Sequence, residues 1–182
     1  MKTKLLTSIG IISFLFLFSG EKLYAQQPLD VSTPERFIAY SLYNFSILIS
    51  WPNSGTLTTF QIAIVGDKTV YGELIELTRN KKIGNALYKI TYFKNVEEIN
   101  GYYQIVYLSN LISGKVKDLN QNPKMKNVLL VTEREGMTRF GSTICFLVNA
   151  DGRMGFEIAK ENAIRNQLTI RLQLERMATR II

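Results

Sequence analysis

The chain has 182 residues, with 22 lysines and arginines against 15 aspartates and glutamates, no histidine and a single cysteine. Without histidine there is no usual general base near neutral pH, no Ser-His-Asp or Cys-His nucleophile and no HExxH zinc site. One cysteine cannot close an internal disulfide, and the formal charge of +7 comes from scattered basic residues rather than a nucleic-acid-binding stripe.

The first 25 residues read as a secretory signal. Lys2 and Lys4 supply the positive start, Leu5 to Phe18 an apolar run of about 14 residues, and Leu23-Tyr24-Ala25 a small residue at the cut. That run is shorter than the roughly 20 residues needed to span a bilayer. Cleavage is expected after Ala25, giving an exported, soluble chain that starts at Gln26. No cysteine lies near the end of the leader, so no lipid anchor attached through a thiol is expected. Residues 26–33 read as a flexible entry, and residues 34–182 as one α/β domain.

Ser32-Thr33-Pro34-Glu35 is a helix start: a hydroxyl cap, proline in the first turn and an early acid. Apolar positions from Phe37 to Ile47 recur at helical spacing on a broad face, and Trp51-Pro52 should close that helix. After a polar turn at 53–56, strands and short helices alternate. Strands are expected at Phe60–Val65, Leu87–Phe93, Tyr102–Leu108 and Val128–Thr132, and helices at Val70–Leu77 and Leu111–Leu119, with a single turn at Val96–Ile99. Gly141–Val148 and Arg153–Ile158 flank Asn149-Ala150-Asp151-Gly152, whose Asp-Gly step signals a hairpin. Ala159–Asn166 should be helical, and Leu168–Ile182 begins with alternation before turning toward helix. The pattern predicts one domain with a mostly parallel twisted sheet, flanking helices and a C-terminal antiparallel hairpin.

Few residues invite a chemical reading. The glycines of Ile62–Gly72 follow a strand but form neither GxGxxG nor a P-loop, which is the ordinary geometry of a strand-to-helix connection. Glu97-Glu98 and the Glu133/Glu135 set are read mainly as solvated acids. Cys145, inside Thr143–Val148, is read as a small buried side chain. The abundant tyrosines serve either a core or a binding groove. Lys81-Lys82 is the densest basic pair, read as solvated surface, with an acidic partner or anionic headgroups as the alternative. No catalytic residue, cofactor or metal is expected.

Three segments in order resemble the YfiR/HmsC-like family of bacterial periplasmic proteins. Phe37-Ile38-Ala39-Tyr40-Ser41-Leu42-Tyr43-Asn44-Phe45, leading to Trp51-Pro52, is similar to the family's opening helix and its "WP" end. Phe60–Asp67 is similar to its first strand and "GD" turn. The third and strongest runs from Gly141 through Gly152-Arg153-Met154-Gly155-Phe156-Glu157-Ile158 to Leu168-Thr169-Ile170 and Met177-Ala178. The resemblance implies a non-enzymatic periplasmic regulator that represses a membrane diguanylate cyclase and so restrains cyclic-di-GMP and biofilm formation. Members of that branch use disulfides, which this chain cannot form internally.

The expected function is therefore binding, and repression in the family's manner, of an envelope or inner-membrane signalling protein, a diguanylate cyclase or a sensor kinase, by a homodimer. The alternative is a periplasmic small-molecule-binding protein that holds an aromatic or anionic ligand with tyrosines and arginines; nucleic acid is not an expected partner. Two exposed regions are expected to meet the partner: Trp51 at the end of the first helix, and Arg171 and Arg176 on the tail. On the tail, alternation should place Leu168, Ile170, Leu172 and Leu174 on one buried side.

Overall fold

The computed structural model describes residues 33–52 and 54–182. The expected leader, its cleavage after Ala25 and residues 26–32 of the entry lie outside the described residues. Helix α1 (Pro34–Leu48) begins where Thr33 accepts from the Arg36 N–H at 3.3 Å, with proline in the first turn. It ends three residues before Trp51, earlier than expected. Strand β1 (Ile49–Ser50) turns the chain extended there by pairing antiparallel with β9 (Thr169–Ile170) in a separate two-stranded ribbon.

The main sheet has eight strands. In chain order these are β2 (Thr59–Val65), β3 (Lys82–Ile83), β4 (Ala86–Phe93), β5 (Ile105–Leu108), β6 (Leu129–Thr132), β7 (Ile144–Val148), β8 (Met154–Ile158) and β10 (Arg180–Ile181). Their spatial order is β10-β8-β7-β6-β5-β2-β4-β3. Strands β4, β2, β5, β6 and β7 run parallel, and β7 and β8 form the expected antiparallel hairpin. Its turn closes with Gly152 N–H donating to Asn149 O at 2.9 Å, and Gly152 sits at φ +79°, where a Cβ is strained. The mixed α/β sheet is thus as predicted in class.

Burial follows strand position. Central β5 and β6 are buried at every residue, because helices or turns cover both faces. β4, near an edge, mixes exposed and half-buried positions. On one face, α1 and α2 (Lys68–Thr78), with residues of α4 (Lys160–Arg165) and α5 (Leu172–Met177), enclose Leu42, Phe45, Phe60, Ile64, Leu74, Tyr107 and Phe146. On the other face α3 (Val116–Gln121) and adjacent short turns cover Val65, Val106, Leu108, Leu130 and Cys145.

Two expectations about strands are corrected. Only Ile105–Leu108 of the run from Tyr102 is strand, because Gln104 uses its side-chain carbonyl, as well as its backbone, to bind Gln61. The tail is not one alternating face. Leu168 and Leu174 are buried, but Leu172 is 60 % exposed, because α5 starts there and the period changes from two residues to 3.6. The two-residue strand β10, parallel to β8, was not foreseen.

Candidate functional site

The two regions expected to meet a partner converge. The β1–β9 ribbon, with Arg171 N–H donating to Leu48 O at 3.0 Å, ties the end of α1 to the tail. Trp51 and Arg171 therefore line one small cleft of about 200 Å³, together with Ile47, Leu57, Phe60 and the β3–β4 turn. Trp51 is not exposed, however. It is 5 % accessible, its Nε1–H donates to Gln104 O at 3.1 Å, and it packs edge-on against Phe60. The indole is a wall of the cleft, and the expectation of a projecting ring is corrected: a ring this large contributes more by filling the core beneath the "WP" turn. Arg171 is exposed at the rim. Arg176 is exposed on α5 and does not line the cleft.

A larger crevice of about 510 Å³ opens at the other end, where the parallel strands finish. After β2 the chain goes to β3 and β4 on one side of it and then to β5 on its other side, so it reverses its direction of travel across the sheet between β2 and β5. Such switch points leave a crevice at the carboxyl ends of the strands. Here Asp67 follows β2, Asn110 follows β5 and Glu133 follows β6, while Glu35 and Ile38 of α1 and Phe146 and Val148 of β7 complete the wall. Asp67 is also the cap of α2, accepting from Thr69 and Val70 N–H at 2.8 and 2.9 Å.

Glu133 is the most perturbed group in this crevice. Its carboxylate accepts from the Tyr107 hydroxyl and, at 3.0 Å, from the Asn110 N–H. Burial pushes its pKa up to about 7. The Asn110 bond works against that shift, and the neighbouring charges of Asp67 and Glu35 add to it. The crevice is acidic, so its electrostatics oppose the anionic ligand of the alternative reading and favour a cation. Glu133 was noted in the sequence only as one of a pair. Its hydroxyl partner lies 26 residues earlier, and no local pattern links them.

The other acids are structural. Glu97 pairs with Lys115 at 3.5 Å, and Glu98 accepts from the Lys94 N–H at 3.0 Å. Glu157, the acid of the "F-E-I" strand, is 1 % exposed and accepts from Thr138 Oγ1 at 2.8 Å and Arg180 Nε at 2.9 Å. A buried carboxylate needs such partners. It fastens β10 to the edge of β8. Cys145 is fully buried with its thiol near Arg134 O, and burial pushes its pKa up. Among the described residues no cluster of acids and cysteine is arranged to hold a metal ion, and no helix is long and apolar enough to cross a membrane.

The model of the YfiR/HmsC-like family matches residues 36–179, from the first turn of α1 to the residue before β10. The chain belongs to the YfiR/HmsC-like family. This is a family of periplasmic regulators of cyclic-di-GMP signalling, and membership points to interaction with a membrane signalling protein. The comparison with curated proteins gave no match. Of the segments that carry the resemblance, the Trp51-Pro52 end gives a wall of the Trp51–Arg171 cleft, the Gly66-Asp67 turn supplies the Asp67 cap at the crevice, and Glu157 is the acid that fastens β10.

Proposed function

We propose that this protein is an exported, non-enzymatic regulator that binds an inner-membrane signalling protein and holds it inactive. A diguanylate cyclase is the first choice of target and a sensor kinase the second. The observation that carries this reading is the family match across nearly all of the described chain. The sequence supports it by lacking histidine and by having one cysteine, which the fold buries. Partner contact is assigned to the rim of the Trp51–Arg171 cleft, where Arg171 stands beside the exposed Ile47, and to the exposed Leu172 and Arg176 of α5. Exposed apolar residues beside arginine are the composition of protein interfaces.

The direct test is in-cell crosslinking of tagged protein, followed by identification of the membrane protein captured. Recovery of a cyclase or kinase with a periplasmic portion is the expected result, and charge reversal at Arg171 and Arg176 should reduce it. A purified protein that turns over a substrate would refute the regulator reading. The Glu133 crevice favours one second reading, a small-molecule-binding protein, with an organic cation in place of the anionic ligand first considered.

A further inference from the structure

The sheet has an open side. Strand β4 is eight residues long, yet β3 covers only Ala86 and Leu87 on its outer edge. Leu87 N–H donates to Thr58 O at 3.0 Å, and Phe93 O accepts from Gly66 N–H at 3.0 Å, so the odd-numbered residues of β4 turn their backbone toward β2. Backbone groups alternate along a strand, so Ile90 and Tyr92 turn theirs outward. No hydrogen bond among the described residues reaches those outward groups. The register with β2 runs unbroken from Thr59↔Leu87 to Val65↔Phe93, so neither a bulge nor a proline blunts this edge.

What surrounds the edge is basic and aromatic. Lys82 lies on β3, Lys89 on β4 and Lys94 just beyond it, all exposed. Lys68 and Lys81 lie 5.5 and 4.4 Å from the ring centres of Tyr92 and Tyr43. None of these five lysines makes an ion pair among the described residues. Glu98 accepts from the Lys94 N–H at 3.0 Å at the far end of this edge, and Glu76 of α2 is matched by Arg79. Lysines on an edge deter self-pairing, because a second copy would set lysine against lysine. The same charges attract a strand of opposite sign.

We propose that the outer edge of β4, from Tyr88 to Phe93, binds an extended acidic segment of the partner protein as an added strand. The segment would satisfy the outward groups of Ile90 and Tyr92 while its carboxylates meet Lys82, Lys89 and Lys94. Main-chain bonding of this kind accepts many sequences, and side chains at alternate positions set specificity. Anionic lipid would meet the lysines equally well but would leave the backbone groups unpaired. The proposal deepens the regulator reading and rests on it for the biological partner.

The test uses the mature protein and a blocked synthetic peptide of alternating glutamate and valine, with the lysine-valine peptide as control. Binding of the acidic peptide, slowed amide exchange at Ile90 and Tyr92, and about tenfold weaker binding by Lys82→Glu/Lys89→Glu are expected. The thermal midpoint of that variant should be unchanged. The proposal is overturned by no binding, by equal binding of both peptides or by binding without protection of those amides. It is also overturned if Ile90 and Tyr92 become protected on self-association alone, or if phosphatidylglycerol vesicles bind while the peptide does not. Failure here with a membrane protein still captured by crosslinking removes only the edge. Peptide addition without any membrane partner in cells removes the regulator reading instead.

Discussion

The two edges of the main sheet are treated in opposite ways. At one edge β8 is covered by β10, a strand of two residues that is fastened by the buried Glu157 carboxylate to Arg180. At the other, β4 keeps Ile90 and Tyr92 uncovered and carries lysines instead. Pairing and charge are both recognised ways to manage an edge. Their difference is functional. Where the β10 segment bonds, from Phe156 to Ile158, the edge of β8 is closed to another strand, whereas a charged edge is closed to its own kind and open to a strand of opposite charge. The closed edge bears the acid of the family's "F-E-I" strand, which gives that residue a structural task.

The largest effect is expected from opening the closed edge. Glu157→Gln keeps the size of the side chain but replaces a charge-assisted acceptor that serves Thr138 and Arg180. A loss of about 2 kcal/mol is expected in urea unfolding, with faster amide exchange at Thr179 and Ile182, whose N–H groups donate to Phe156 O and Ile158 O. Unchanged stability would mean that β10 is held by its backbone alone. Next is Cys145→Ala, which leaves a small cavity beneath α3 and should cost about 1 kcal/mol. The native thiol should resist a polar thiol reagent, and rapid labelling would contradict its burial.

Much of this architecture was legible in the sequence, for local reasons. Thr33-Pro34-Glu35 carries its own cap, and Asp151-Gly152 marks the β7–β8 turn at a position where φ is positive. The β-rich runs that contain β5 and β6 announced strands, and the structure adds that both are buried at every residue. What could not be read depends on partners distant in sequence. Strands of two residues, such as β9 and β10, have no period. Leu172 continued an alternation that the start of α5 interrupts. The Trp51–Arg171 cleft exists because Ile49 pairs with Ile170, and the crevice draws its walls from the helix, strands and loops around Glu133. The lysines at 81 and 82 were visible as a pair, but only the sheet shows that they flank unpaired backbone.

The crevice gives a third, pH-dependent test away from both edges. The folded pKa of Glu133 lies above the ordinary carboxyl value, at about 7. Between the unfolded value, near 4.5, and about 7 the folded protein therefore holds more protons than the unfolded chain. Its contribution to stability is fully present below the lower value and is lost as pH rises through the upper one. Glu133→Gln should flatten that decline, as read by urea unfolding across this range. An identical pH profile in the two proteins would contradict the assigned titration.

The smallest stability effect belongs to the open edge. Lys82→Glu/Lys89→Glu should unfold within about 0.5 kcal/mol of the natural protein, because neither exposed lysine has an ion partner among the described residues to lose. A large loss would show that these residues serve folding, and the contrast between the edges would vanish.

The central claim, a regulator that restrains a membrane signalling protein, is tested most directly by cellular cyclic-di-GMP. The account predicts a rise when the gene is deleted, restoration of the low level by the natural protein, and failure of restoration by Lys82→Glu/Lys89→Glu exported in equal amount. Unchanged cyclic-di-GMP on deletion would contradict the cyclase as target, and full restoration by the charge-reversed protein would contradict the open edge as the surface that acts.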